Sequence, residues 1–125
     1  MLRTEPVIAV KNVENSAAWY RKLLGCTPSH GGSLFEILTN DKEEQILSLH
    51  RWGTHEHPTL FNPDIIPGNG LILYFVVDNL DTIWENAQDL KAIIEERPHL
   101  NTNSGRMEFS LRDPDGYYIS ICSDE

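Results

Sequence analysis

The sequence predicts an α+β fold in which one βαβββ module is used twice. Three observations carry this: a short segment that recurs, a common order of strand and helix patterns around each copy, and one explicit tight turn. Val10-Lys11-Asn12-Val13-Glu14 returns 67 residues later as Val77-Asp78-Asn79-Leu80-Asp81. Repeats of this kind are sought first, because a missed one distorts every later assignment.

Each copy follows an apolar, β-prone run, Pro6 to Val10 in the first and Leu71 to Val77 in the second. A helical pattern comes next. Val13, Ala17, Tyr20 and Leu24 share one stripe, and so do Leu80, Ile83, Trp84, Ala87 and Leu90. Asn12 and Asn79 stand where N-caps belong, with Glu14 and Asp81 in the electropositive first turn. Gly25 is placed to close the first helix. Further on, Phe35-Glu36-Ile37-Leu38 is answered by Phe109-Ser110-Leu111, and Ile46-Leu47-Ser48-Leu49 by Tyr118-Ile119-Ser120-Ile121. Asp113-Pro114-Asp115-Gly116 has the residues of a type I turn, and Asn40 to Glu44 supplies its counterpart.

Strands are therefore predicted over 5–10, 26–30, 33–39 and 44–52, then over 70–77, 92–98, 106–112 and 117–123. Helices are predicted over 13–24 and 80–91. The 125 residues form one expected domain: module one over 1–52, a Pro-containing connection over 53–69, module two over 70–125. A hydrophobic content of 40% suffices for a core. The net charge of −9 disfavours nucleic acid, which needs a cationic face, and would attract cations. Cys26 and Cys122 make no disulfide framework and read as buried thiols of a reducing compartment. No apolar stretch is long enough to span a bilayer and no signal segment is visible, so a cytoplasmic protein with no membrane partner is expected.

Two segments resemble a known family. Val7-Ile8-Ala9-Val10, followed by Trp19-Tyr20 and Leu24-Gly25, is similar to the first strand and helix of the vicinal-oxygen-chelate superfamily of glyoxalases, bleomycin resistance proteins and dioxygenases. Glu108-Phe109 with Arg112-Asp113-Pro114-Asp115-Gly116 is similar to its late hairpin. The resemblance implies paired modules in a half-barrel arrangement around a concave cavity, and a homodimer. It also implies a divalent metal held at four strand positions, which by motif fall on Glu5, Ser48, Ile72 and Ser120. Only Glu5 is a metal ligand, and the flanking residues Thr4, Pro6, Leu47, Leu49, Leu71, Leu73, Ile119 and Ile121 offer no substitute. No metal and no other cofactor is therefore expected, and the chain reads as closest to the metal-free, bleomycin-resistance-like members.

Strand parity collects an expected ligand cavity from Glu5, Val7, Ser48, His50, Trp52, Ile72, Tyr74, Tyr118 and Ser120, with Ala9 and Cys122 on the same side. Tyrosines offer faces for planar or cationic groups. His50 or Glu5 would be the base if the chain catalyses anything. His55, Glu56 and His57 lie in a loop without metal-ligand spacing and read as a solvated polar segment. The expected function is sequestration of an aromatic or cationic small molecule. The alternatives are a glyoxalase-type lyase and a metal-free enzyme on the same fold.

Overall fold

The computed structural model describes residues 3–29, 31–53, 57–60, 62–66 and 68–124. Their elements run β1 (Val7–Val10), α1 (Val13–Leu24), β2 (Thr27–Pro28), β3 (Phe35–Thr39), β4 (Gln45–Arg51), a 3₁₀ turn (Pro58–Leu60), β5 (Leu73–Val77), α2 (Leu80–Asp89), β6 (Ile93–Asn101), β7 (Arg106–Arg112) and β8 (Tyr118–Ser123). The predicted sequence of strands and helices is present in order. Two compact units result, Met1–Pro67 and Gly68–Glu125.

Each unit is a four-stranded mixed sheet with one helix. The strand orders are β1-β4-β3-β2 and β5-β8-β7-β6. In both, the first strand pairs parallel to the last, and the other pairs are antiparallel. The registers agree as well as the orders. Val7 faces Ser48 and Ile37 faces Ser48; Tyr74 faces Ser120 and Ser110 faces Ser120. This agreement corrects one detail of the sequence comparison. Phe35 pairs with His50, whereas Phe109 pairs with Ile121, so Phe35 corresponds to Glu108 and not to Phe109. A one-residue slip moves a side chain to the other face of a sheet, and the two phenylalanines lie on opposite faces.

The helices fix which face is core. Trp84 of α2 meets the Phe109 ring edge-on at 5.0 Å, so Phe109, Ile121, Phe75, Leu111, Ile119 and Leu73 form the helix-side row. The same register places Ile8, Leu49 and Leu47 under α1, where Tyr20 and Leu23 are also fully buried. Burying each large apolar side chain is worth about 1.5–3 kcal/mol. Leu23, not Leu24, completes the buried stripe of α1.

Asn12 is extended and its side chain accepts the Asn15 N–H at 2.9 Å, a true N-cap. Gly25, at φ 73°, turns the chain and donates its N–H to the Arg21 carbonyl at 2.9 Å. Asn79 occupies the matching position but makes no side-chain cap bond, because its ψ of 51° is not extended. In α2, the helix stops at Asp89, short of the predicted 91. Glu5 and Ile72 precede their strands, and Trp52 lies on the turn after β4. His30, predicted in the second strand, is outside the described residues, as are His55 and Glu56.

The Asp113 turn is built as predicted. Gly116 N–H donates to the Asp113 carbonyl at 3.0 Å, and the buried Asp113 carboxylate accepts the N–H groups of Asp115 at 2.9 Å and Tyr117 at 2.8 Å. Asp113→Ala strands both donors and should cost about 1–3 kcal/mol, read as a lower urea midpoint with unchanged slope. Both cysteines are free and buried. Burial pushes the Cys26 thiol from 9.0 up to about 11, against a smaller lowering by a backbone hydrogen bond. The unfolded thiol ionises first, so this contribution is intact below about pH 9 and is lost as pH rises toward 11. The expected loss of about 2 kcal/mol between pH 8 and pH 11 is the part of the alkaline destabilisation that Cys26→Ala should remove, measured by urea titration at those two pH values.

Candidate functional site

The face opposite the helix differs between the two sheets. In the first unit it carries Val7, Ala9, Phe35, Ile37, Ser48 and His50. His50 is buried, with Nδ1 2.8 Å from the Arg51 carbonyl. A carbonyl only accepts, so Nδ1 donates and a neutral ring has its lone pair on Nε2. The Phe35 and His57 rings stand edge-on to it, with centroids 6.0 and 5.1 Å away. Glu5 is exposed at the strand entrance, where the Arg3 guanidinium donates to its carboxylate at 2.6 Å. As a base it would first have to leave that partner. Trp52 is half-buried, and its backbone N–H donates to the Val10 carbonyl at 3.3 Å.

In the second unit the same face is polar. Tyr74 and Val76 of β5, Tyr118, Ser120 and Cys122 of β8, and Glu108, Ser110 and Arg112 of β7 share it. Ile72 is exposed ahead of β5, and Tyr74 remains 50% exposed. The Tyr118 hydroxyl donates to Glu96 Oε1 at 3.1 Å and lies 2.9 Å from Ser110 Oγ. The Ser110 contact pulls the phenol pKa down, but burial, the hydrogen bond to Glu96 and the charges of Glu96 and Glu95 together raise it above the usual tyrosine value. One face of the Tyr118 ring already holds the Arg112 guanidinium, 4.9 Å from its centroid. Tyr74 is therefore the more open of the two rings.

Sequence parity selected Tyr74, Tyr118 and Ser120 but passed over Glu96, His99, Asn101, Glu108 and Ser110. The same alternation, carried on to β7, reaches Glu108 and Ser110, which lie opposite Cys122 and Ser120. Glu96 and His99 are hidden from it, because β6 shifts register between Ile94 and Glu96 and again between Glu96 and His99. A separate concavity of about 440 Å³ is lined by Thr27, Ser29, Thr39, Asn40, Asp41, Glu43 and Gln45, none of them an expected site residue.

The four metal positions give a chemically poor donor set. The first unit offers the Arg3-paired carboxylate of Glu5 and the hydroxyl of Ser48; the second offers the hydrocarbon of Ile72 and the hydroxyl of Ser120. Two neutral hydroxyls and an isoleucine do not satisfy a divalent ion that needs about three anionic or imidazole ligands. Among the described residues no three His, Cys, Asp or Glu side chains are grouped to hold one elsewhere.

A family model for the Glyoxalase/Bleomycin resistance protein/Dioxygenase superfamily matches residues 4–121. Solved structures agree over nearly the whole chain. A protein from the mobile metagenome of V. pseudocholerae is 23% identical, with 100% of this chain and 95% of that one covered and a TM-score of 0.76. A virulence protein from Salmonella typhimurium is 19% identical, with 98% and 97% covered and a TM-score of 0.74. A lactoylglutathione lyase from Agrobacterium tumefaciens is 16% identical, with 98% and 93% covered and a TM-score of 0.72. At such identities the likeness establishes the fold alone. No curated protein matches the sequence. From the donor set, chelated protein titrated with nickel, zinc, manganese or iron(II) should show no tight stoichiometric uptake by calorimetry; one ion bound per chain at micromolar affinity would refute the assignment of the four positions.

Proposed function

The chain belongs to the glyoxalase/bleomycin resistance protein/dioxygenase superfamily, and within it we propose a metal-independent binding protein that sequesters a small aromatic or cationic compound on the helix-free sheet faces. The observation that carries this is Tyr74, a large ring left half-exposed beside Ile72 and Val76 and next to a row rich in acceptors. Apolar surface with a few fixed polar groups is the ordinary make-up of a small-molecule site. The net charge of −9 favours cations over anions. On the first unit the corresponding face carries Ser48, His50 and Val7, with Ala9 and Phe35 beside them.

Lyase chemistry of the glyoxalase type is the weaker reading, since that chemistry uses a metal to polarise substrate oxygens and the donor set above does not fit one. A thermal-shift screen of planar aromatic cations should raise the melting temperature. Tyr74→Ala should weaken the best binder about five- to tenfold, the scale of one cation–π contact. Tyr118→Ala should weaken it less, because Arg112 occupies one ring face. Unchanged affinity in both variants would remove the second unit's face as the site. Hemithioacetal isomerisation by the purified protein would instead favour the lyase.

A further inference from the structure

In the second unit the His99 ring stands beside two carboxylates. His99 Nδ1 lies 2.7 Å from the Arg97 carbonyl, so it donates there, and in its neutral form the ring presents its lone pair at Nε2. Nε2 lies 3.9 Å from Glu96 Oε2 and 4.0 Å from Glu108 Oε2. Both carboxylates are held by their other oxygens. Glu96 Oε1 accepts from the Ser110 and Tyr118 hydroxyls, each at 3.1 Å, and Glu108 Oε1 accepts from Asn101 Nδ2 at 2.8 Å. The Glu108 side chain is only 7% exposed. Beyond His99, its Oε2 meets the Tyr74 hydroxyl at a long 3.5 Å, the outer limit of a hydrogen bond.

The internal repeat supplies a control. Phe35 and Ile37 occupy in the first unit the registers that Glu108 and Ser110 occupy in the second. The fold is content with hydrocarbon at these positions. Burying a carboxylate there is a cost that packing does not demand.

The spacing selects the occupant. Zinc-type ions hold nitrogen and oxygen at about 2.0–2.1 Å, which puts tetrahedral ligands roughly 3.4 Å apart. Acceptors at 3.9 and 4.0 Å are too far apart for that. An ammonium nitrogen making hydrogen bonds of about 2.8–3.0 Å spans either pair of acceptors at an angle near 90°. A primary ammonium also brings three N–H donors to three acceptors. We infer that Glu96, His99 and Glu108 form a receptor for the protonated head of a primary amine, with the Tyr74 ring as the wall for its apolar part. This deepens the small-molecule reading above and rests on it.

Benzylamine, benzyl alcohol and benzyltrimethylammonium, titrated into the full chain by calorimetry and ¹H–¹⁵N NMR, separate the determinants. Benzylamine should bind at least tenfold more tightly than the other two and perturb the His99 Nε2 resonance. Glu108→Gln should reduce that binding tenfold or more. Glu96→Gln, at an exposed position, should do so as well while retaining the wild-type melting profile. Unchanged benzylamine affinity in a folded Glu96→Gln variant, or no saturable benzylamine binding, overturns the ammonium site. If all three probes bind equally and all are lost in Tyr74→Ala, the ammonium site falls and the aromatic-binding reading stands. If amine selectivity persists in Tyr74→Ala, the ammonium site stands and the aromatic wall falls.

Discussion

The parallel pairing of the first strand of each unit with its last is the constraint on which the remainder depends. Residues far apart in the chain, Val7 with Ser48 and Tyr74 with Ser120, become neighbours only through it. A parallel pair cannot be joined by a tight turn and needs a long crossover, here the helix and two further strands. Once the pairing is set, side-chain alternation assigns every residue of the four strands to the helix side or to the other side. Core and candidate site are thus two consequences of one register.

The two units share that register and differ in what they do with the free face. Under the helices both rows are mostly hydrocarbon, with Leu47, Leu49 and Ile8 in one and Ile119, Ile121 and Phe109 in the other, all buried; the exception is Glu36, a buried carboxylate that pairs with Leu49 as Phe109 pairs with Ile121. That row is where packing energy resides. The opposite row has diverged to Phe35, Ile37 and Ser48 in one unit and to Glu108, Ser110 and Ser120 in the other. A duplicated framework therefore holds one largely apolar face and one face with a connected polar network, without change in strand order.

The polar network gains its definition from donors fixed by neighbours. Asn101, Ser110 and Tyr118 each turn a hydroxyl or amide toward a carboxylate, and the Arg97 carbonyl sets the tautomer of a neutral His99. Such orientation of a group by its second partner is how binding sites hold geometry. With His99 neutral this leaves acceptors rather than donors at the centre, which suits a cation and agrees in sign with the overall charge.

Much of this was legible in the sequence. The repeat of Val10–Glu14 at Val77–Asp81, the apolar stripes, the Gly25 cap and the Asp113–Gly116 turn are local signals, and local backbone preferences suffice to read them. Parity then brought Tyr74, Tyr118 and Ser120 to one face, and the chemistry of Glu5, Ser48, Ile72 and Ser120 was evident from residue type. Tertiary structure decided the rest. It showed that Phe35 and Phe109 are not equivalent, because register is set by partner strands. It showed that Asn79 does not cap, because its backbone is not extended. Above all, it joined Glu96 and His99 to Glu108. Two register shifts in β6 break the simple alternation, and only the pairing with β7 shows where those side chains meet.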